Sequence, residues 1–188
     1  MKLLTKWAFL GAVAAMSLGA TSAHAQVGLT SSVATVNIDA TKTSLLTVAV
    51  NSGGSQTLAS LTDGAPNSFA SPVNLTTTWD LNAGTNVVLV GSFATPAQAL
   101  ASGSNFITST YVKGKMATGT PTSFTAFTQN GVGTIGTTGG SLTLFTQSAA
   151  SLAGNRTDNL DLQIDLTGHA SLVPGTYSGT LNLQAIVQ

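Results

Sequence analysis

The chain contains no cysteine and no glutamate, and it carries little charge of either sign: six Lys and Arg against six acids, all aspartate, in 188 residues. Each absence excludes something. Without cysteine there is no disulfide framework, no thiolate metal site, no Cys nucleophile and no lipid anchor on a thiol. Six basic side chains are too few for a nucleic-acid surface, so no nucleic-acid partner is expected. The Glu, Lys and Leu richness of helical bundles and coiled coils is missing. What fills the chain instead is Ser, Thr, Ala and 20 glycines. The length suits one sizeable domain and is short for two.

The first residues read as a targeting segment. Lys2 and Lys6 form a positive start, and Trp7 to Ala20 follows as an uncharged apolar stretch. That stretch is about 14 residues, below the roughly 20 that cross a bilayer. Ala23 and Ala25 then supply the A-x-A spacing a signal peptidase accepts. Residues 1–25 are therefore expected to be a signal peptide, and residues 26–188 a single domain. No second run of spanning length follows, so no membrane-spanning segment is expected after cleavage. The expected location is the periplasm, cell surface or exterior of a bacterium. Cleavage would leave Lys42, Lys113, Lys115 and Arg156 against six aspartates, with His169 as the sole histidine.

Period two runs through this remainder. Leu160, Leu162, Ile164 and Leu166 alternate with Asp161, Gln163 and Asp165, giving one apolar and one wet face. Tyr177 to Val187 places Tyr177, Leu181, Leu183, Ala185 and Val187 on one face, with Gly179 marking a close approach. Val73, Leu75, Thr77, Trp79 and Leu81 form a third set, ended by the turn Asn82-Ala83-Gly84. Thr85 to Phe93 is apolar on both faces, as a central strand would be. Weaker strand signals lie at Val33–Ile38, Ser44–Val50, Gln56–Leu61, Phe106–Met116, Ser123–Thr128 and Ser141–Gln147. Only Thr95 to Ala101 reads as helix, with a Thr N-cap followed by Pro96. Short strands separated by turn signals predict an all-β fold. The expectation is one antiparallel Ig-like or pilin-like β-sandwich with at most one short helix near 95–101.

Catalytic and metal chemistry are hard to assemble from this inventory. A Ser-His-Asp triad would have to use His169, which follows a strand in Thr167-Gly168-His169-Ala170-Ser171 and reads as a loop residue. No G-x-S-x-G elbow precedes a candidate serine, and a two-carboxylate site would have to come from six aspartates. Asp161 and Asp165 lie roughly 13–14 Å apart at about 3.4 Å per residue, too far to share one Ca²⁺. Arg156 pairing an aspartate on a wet face is the simpler reading of the 156–165 cluster. No catalytic, cofactor-binding or metal residue is assigned, and no cofactor is expected. Lys113 and Lys115, on the same side as Tyr111, read as edge guards that discourage sheet-to-sheet association. Trp79 shares its face with Val73, Leu75 and Leu81 and reads as a core anchor. The triplets at Asn74 and Asn155 match the N-glycosylation pattern, which is common by chance in so Asn- and Thr-rich a chain.

Leu172-Val173-Pro174-Gly175-Thr176-Tyr177, followed by the alternating Ser178 to Ala185, resembles the closing strand of bacterial secreted pilin-like sandwiches. The families meant are the spore coat protein U-like proteins and the chaperone–usher fimbrial subunits. The chain lacks the Cys pair many members use and ends Ile186-Val187-Gln188 without an aromatic next to last. The resemblance implies a cell-surface structural protein without catalytic activity, partnered with itself or other surface subunits through strand edges. Polymerisation by strand donation would use Val27 to Ile38 as the donated segment; the plainer alternative makes it the domain's own first strand. A binding module, adhesin or glycan-recognising, is the other functional class. It would expose Trp79, Tyr111 or Tyr177 together in a groove.

Overall fold

The computed structural model describes residues 32–149 and 153–188, and the chain divides into two compact units, Met1–Ala40 and Thr41–Gln188. The expected signal peptide and Val27–Ser31 lie outside the described residues. In the first unit, residues 32–40 form neither helix nor strand, and Val33, Val36 and Ile38 are exposed. The strand expected at Val33–Ile38 is therefore not formed. No other described strand pairs with it, and an unpartnered extended segment leaves its backbone groups to water.

The second unit is all-β, with antiparallel pairing throughout. One sheet runs in the order β1 (Leu45–Ser52), β3 (Val73–Asp80), β10 (Ala153–Asp165), β7 (Val112–Met116) and β8 (Thr125–Ala126), and β2 (Pro66–Ser68) also pairs with β10. The facing sheet has the order β11 (Asn182–Val187), β4 (Asn86–Ser92) and β9 (Ser141–Ser148). A small hairpin, β5 (Leu100–Ser102) with β6 (Asn105–Ile107), stands apart. No helix among the described residues is long and apolar enough to cross a membrane.

Parity explains which side chains go inside. On β3, Val73, Leu75, Thr77 and Trp79 are buried, while Asn74, Thr76, Thr78 and Asp80 face out half-covered. β10 starts at Ala153 rather than Leu160, because Gly154, Arg156 and Asp158 keep the parity of Leu160 and Ile164. Gly154 stands opposite Trp79, and a Cβ there would lie 2.8 Å from Trp79 Cζ2, so glycine is what lets the indole lie across β10. β4 is buried on both faces, as its sequence predicts. Val87 and Leu89 enter the core, while Val88 and Val90 are buried on the outer side, where the glycine-rich 131–136 turn crosses Val90 and Ile186. The core joins the two sheets through Leu75, Leu89, Phe127, Leu144 and Leu160, all fully buried. Each such side chain contributes about 1.5–3 kcal/mol.

Several expected elements are shorter than their sequence signals. Phe106–Met116 divides into β6, a 3-10 turn at Ser109–Tyr111 and β7, so Tyr111 does not lie on the lysine strand. The helix near 95–101 is one 3-10 turn, Pro96–Gln98, with Thr95 extended and making no side-chain cap bond. Only Thr125–Ala126 of the 123–128 run pairs. Gln56–Leu61 runs outside the sheets with Leu58 and Leu61 turned toward the core. The last strand begins at Asn182, and before it Ser178 makes a single bridge to Ala101. Gly179 is indeed a close approach, since a Cβ would collide with the carbonyl oxygen of Ala99.

Candidate functional site

Four ion pairs form among the described residues of the second unit, two of them between β7 and β10, one within β10 and one from Lys42, just before β1, to the end of β3. Lys42 Nζ lies 2.8 Å from Asp80, Lys113 Nζ 2.5 Å from Asp165, Lys115 Nζ 3.1 Å from Asp161, and Arg156 Nε 2.6 Å from Asp158. The two lysines of β7 are thus not edge guards. β7 lies between β10 and β8, and each lysine reaches an aspartate on β10. The pairing expected for Arg156 forms, but inside the sandwich rather than on a wet face. Asp158 has a fully buried side chain, and it also accepts the Thr118 hydroxyl at 2.6 Å. Sequence reasoning put the 156–165 cluster on a wet face. The two-residue spacing of Asp158 from Leu160, the same spacing that sets Arg156 two residues before Asp158, was the signal that could have placed both side chains on the buried face.

The Lys113 ammonium, through its hydrogen bond, lowers the Asp165 carboxyl from 3.8 to about 2, helped by the hydroxyl and backbone N–H of Thr167 and opposed by partial burial. A carboxyl whose pKa falls on folding stabilises the fold above its unfolded value and loses that contribution as pH drops through its folded value. The urea midpoint should therefore fall between about pH 4 and pH 2, and Asp165→Asn should show a shallower fall over that window. The pair sits at the surface rim, so its share is about 1 kcal/mol or less.

An apolar groove of about 820 Å³ opens on the same side of the sandwich as the β1 edge. Its floor takes side chains from β3, β7 and β10, including Val73, Val112 and Ile164, and Phe93 lines it from beyond the end of β4. Its walls are segments 56–61 and 172–181, which lie outside the strands. These walls are held by side chains at their ends. Gln56 Nε2 donates to Gly53 O at 2.8 Å, Thr62 N to Asn67 Oδ1 at 2.7 Å, and Leu172 N to Asp63 Oδ1 at 3.2 Å, which ties one wall to the other. Asp63 is the one charged residue among those lining the groove. Val50 of β1 faces inward, opposite Leu75, yet it is 48% exposed.

On the outer face of the larger sheet, amides and hydroxyls bond sideways. Asn51 donates to Asn74 and Thr76, Asn74 donates to Asn159, and the hydroxyls of Thr76 and Thr157 share a 2.8 Å bond. Both glycosylation-type triplets lie in these strands, with Asn74 in β3 and Asn155 in β10.

The chain matches no family model, no curated protein and no solved structure. The assignment of residues therefore rests on geometry. Of the aromatic residues named for a binding platform, Tyr177 lines the groove, with its hydroxyl donating to Val173 O at 2.9 Å, while Trp79 is buried in the core and Tyr111 meets the His169 ring edge-on at 4.5 Å. His169 is half-buried, donates its backbone N–H to Leu166 O, and has Nδ1 against the carbonyl oxygen of Ala170. Among the described residues no three His or Asp side chains gather around a point that could hold a cation. The groove and the neighbouring β1 edge are what sequence reasoning missed. Their only trace in the sequence is a run of uncharged, strand-prone residues from Ser44 to Leu61 that has too few partners.

Proposed function

We propose that the chain is an exported structural subunit that assembles at the bacterial surface, with copies of itself or with other surface subunits, and has no catalytic activity. The observation that carries this reading is the apolar groove whose two walls lie outside the strands, with the bridge of Ser178 to Ala101 as their one ladder contact among the described residues. A backbone without ladder partners, next to apolar pockets, is what β-strand addition uses: main-chain bonds give affinity and alternate side chains give specificity. The groove carries one acid and no base. Val27 to Ile38 carries no charge and sets Val27, Leu29 and Val33 in one register, so it suits such a groove on a second copy. The resemblance of the C-terminal segment to pilin-like sandwiches supports the same reading.

Size-exclusion chromatography with light scattering on Gln26–Gln188, and on the same chain lacking residues 26–39, tests it. Oligomers that disappear with the deletion are the expected result. A monomer in both cases would sink strand donation, and a glycan screen would then examine the binding-module alternative.

A further inference from the structure

The edges of this sandwich are unequally guarded. The outer strand at one end of the larger sheet, β8, is two residues long. On the smaller sheet, the start of β9 is taken by Gln129, which exchanges backbone bonds with Ser141 at 2.7 and 3.1 Å and accepts from Thr143 N through its side chain at 2.8 Å. β1 is different. Among the described residues it pairs only with β3, and its eight residues, Leu-Leu-Thr-Val-Ala-Val-Asn-Ser, contain no charge and no proline. Natural edges are normally blunted by a lysine, a proline or a short length. The nearest charges, Lys42 and Asp80, neutralise each other. Val50 faces inward and remains 48% exposed, while its cross-strand neighbour Leu75 is fully buried. Val50 also lines the groove, so the inward face at this end of β1 is left partly uncovered.

We propose that β1 pairs antiparallel with β1 of a second copy about a two-fold axis, joining two larger sheets into one. This deepens the assembly reading and rests on it. The strand is its own complement. Antiparallel pairing keeps inward side chains opposite inward ones in only half of the possible registers, because a slip of one residue turns every side chain over. Centring the pair on Val48 satisfies that condition. Leu46 then lies opposite Val50 of the second copy, Thr47 opposite Ala49, and Leu45 opposite Asn51. No charge meets a like charge. An isologous contact of this kind closes at two copies.

Because the chain has no cysteine, the register can be read directly. Thr47→Cys mixed with Ala49→Cys should give an oxidised heterodimer, since directly opposed residues have Cβ atoms about 4.5–5.5 Å apart. Thr47→Cys alone should cross-link poorly, because its two copies would sit on a diagonal of about 7–8 Å. Thr47→Lys/Ala49→Lys alters two exposed side chains, so the monomer should keep its melting temperature. Its self-association should weaken roughly tenfold or more. Mixing it with Thr47→Asp/Ala49→Asp should restore a heterodimer. A lysine variant that associates like the unmodified chain, or cross-links that form only in another register, would overturn the pairing. Deleting residues 26–39 separates the two ideas. Association lost with the deletion but indifferent to the lysines leaves strand donation standing and β1 pairing refuted. Association that survives the deletion and fails with the lysines gives the reverse, and a monomer under all conditions refutes both.

Discussion

Replacing Arg156 with Ala should cost about 3–5 kcal/mol, because it leaves a buried carboxylate without its counter-charge. The guanidinium grips Asp158 with two bonds, Nε to Oδ2 at 2.6 Å and one terminal nitrogen to Oδ1 at 2.9 Å. It also donates to Thr118 O at 2.7 Å and to Gln147 Oε1 at 3.3 Å, and it stacks 4.5 Å from the Phe145 ring centre. After truncation, Asp158 keeps the Thr118 hydroxyl and little else. Arg156→Lys should recover only part of the loss, since an ammonium is a point donor and cannot reproduce the planar fork or the ring stacking. The informative comparison is Arg156→Met/Asp158→Leu. Removing both charges eliminates the desolvation cost along with the attraction, so the double variant should be far more stable than Arg156→Ala. Urea unfolding followed by the fluorescence of buried Trp79 measures all three. A loss below about 1 kcal/mol for Arg156→Ala would mean that water reaches Asp158 in solution.

The same network shows how far a sequence can be read. Alternation marked β3, β11 and the second half of β10, because in those strands polarity and parity agree, and β4 was marked by being apolar on both faces. Alternation stopped at Leu160, because Arg156 and Asp158 sit on the apolar side of their strand and look like wet-face residues when charge alone is judged. Their partner, Thr118, is 38 to 40 residues away and carries no sequence signal of contact. The groove was illegible for a different reason. Tyr177, Leu181, Leu183, Ala185 and Val187 alternate well enough to suggest a strand at 177–187, and 56–61 carries a weaker signal. Whether such a segment joins a ladder depends on which neighbours the topology leaves free, and no local pattern encodes that. Lys113 and Lys115 were misread by the same limit, since edge or interior is a property of the sheet.

Topology also explains why so few charges suffice. Each cation of the second unit is paired with an aspartate, and the outer face between β1 and β10 is held by amide and hydroxyl bonds that need no counter-ion. Such a face stays hydrated without repelling a neighbouring copy. That property suits dense packing of subunits and is consistent with an unguarded β1.

Truncating Phe127 should be the most damaging single change in the core, at about 3–5 kcal/mol against a total stability of about 5–15 kcal/mol. Phe127 lies just past the end of β8 and is fully buried. Its ring meets Phe93 edge-on at 5.3 Å, and glycines from both sheets make room for it. A Cβ on Gly91 of β4 would stand 2.9 Å from Phe127 Cε1, and one on Gly114 of β7 would stand 3.1 Å from its Cζ. The ring thus occupies the space that two missing side chains leave open, and it locks the sheets at that spacing. Gly91→Ala should overpack the site and cost about 1–3 kcal/mol. Phe127→Leu should cost less than Phe127→Ala, because it leaves a smaller cavity. The decisive test is the pair. If the glycine exists to admit the ring, Gly91→Ala/Phe127→Leu should be less destabilised than the sum of its single variants, since the smaller side chain accepts the new methyl. Strict additivity would mean that the glycine serves the strand backbone rather than the aromatic ring.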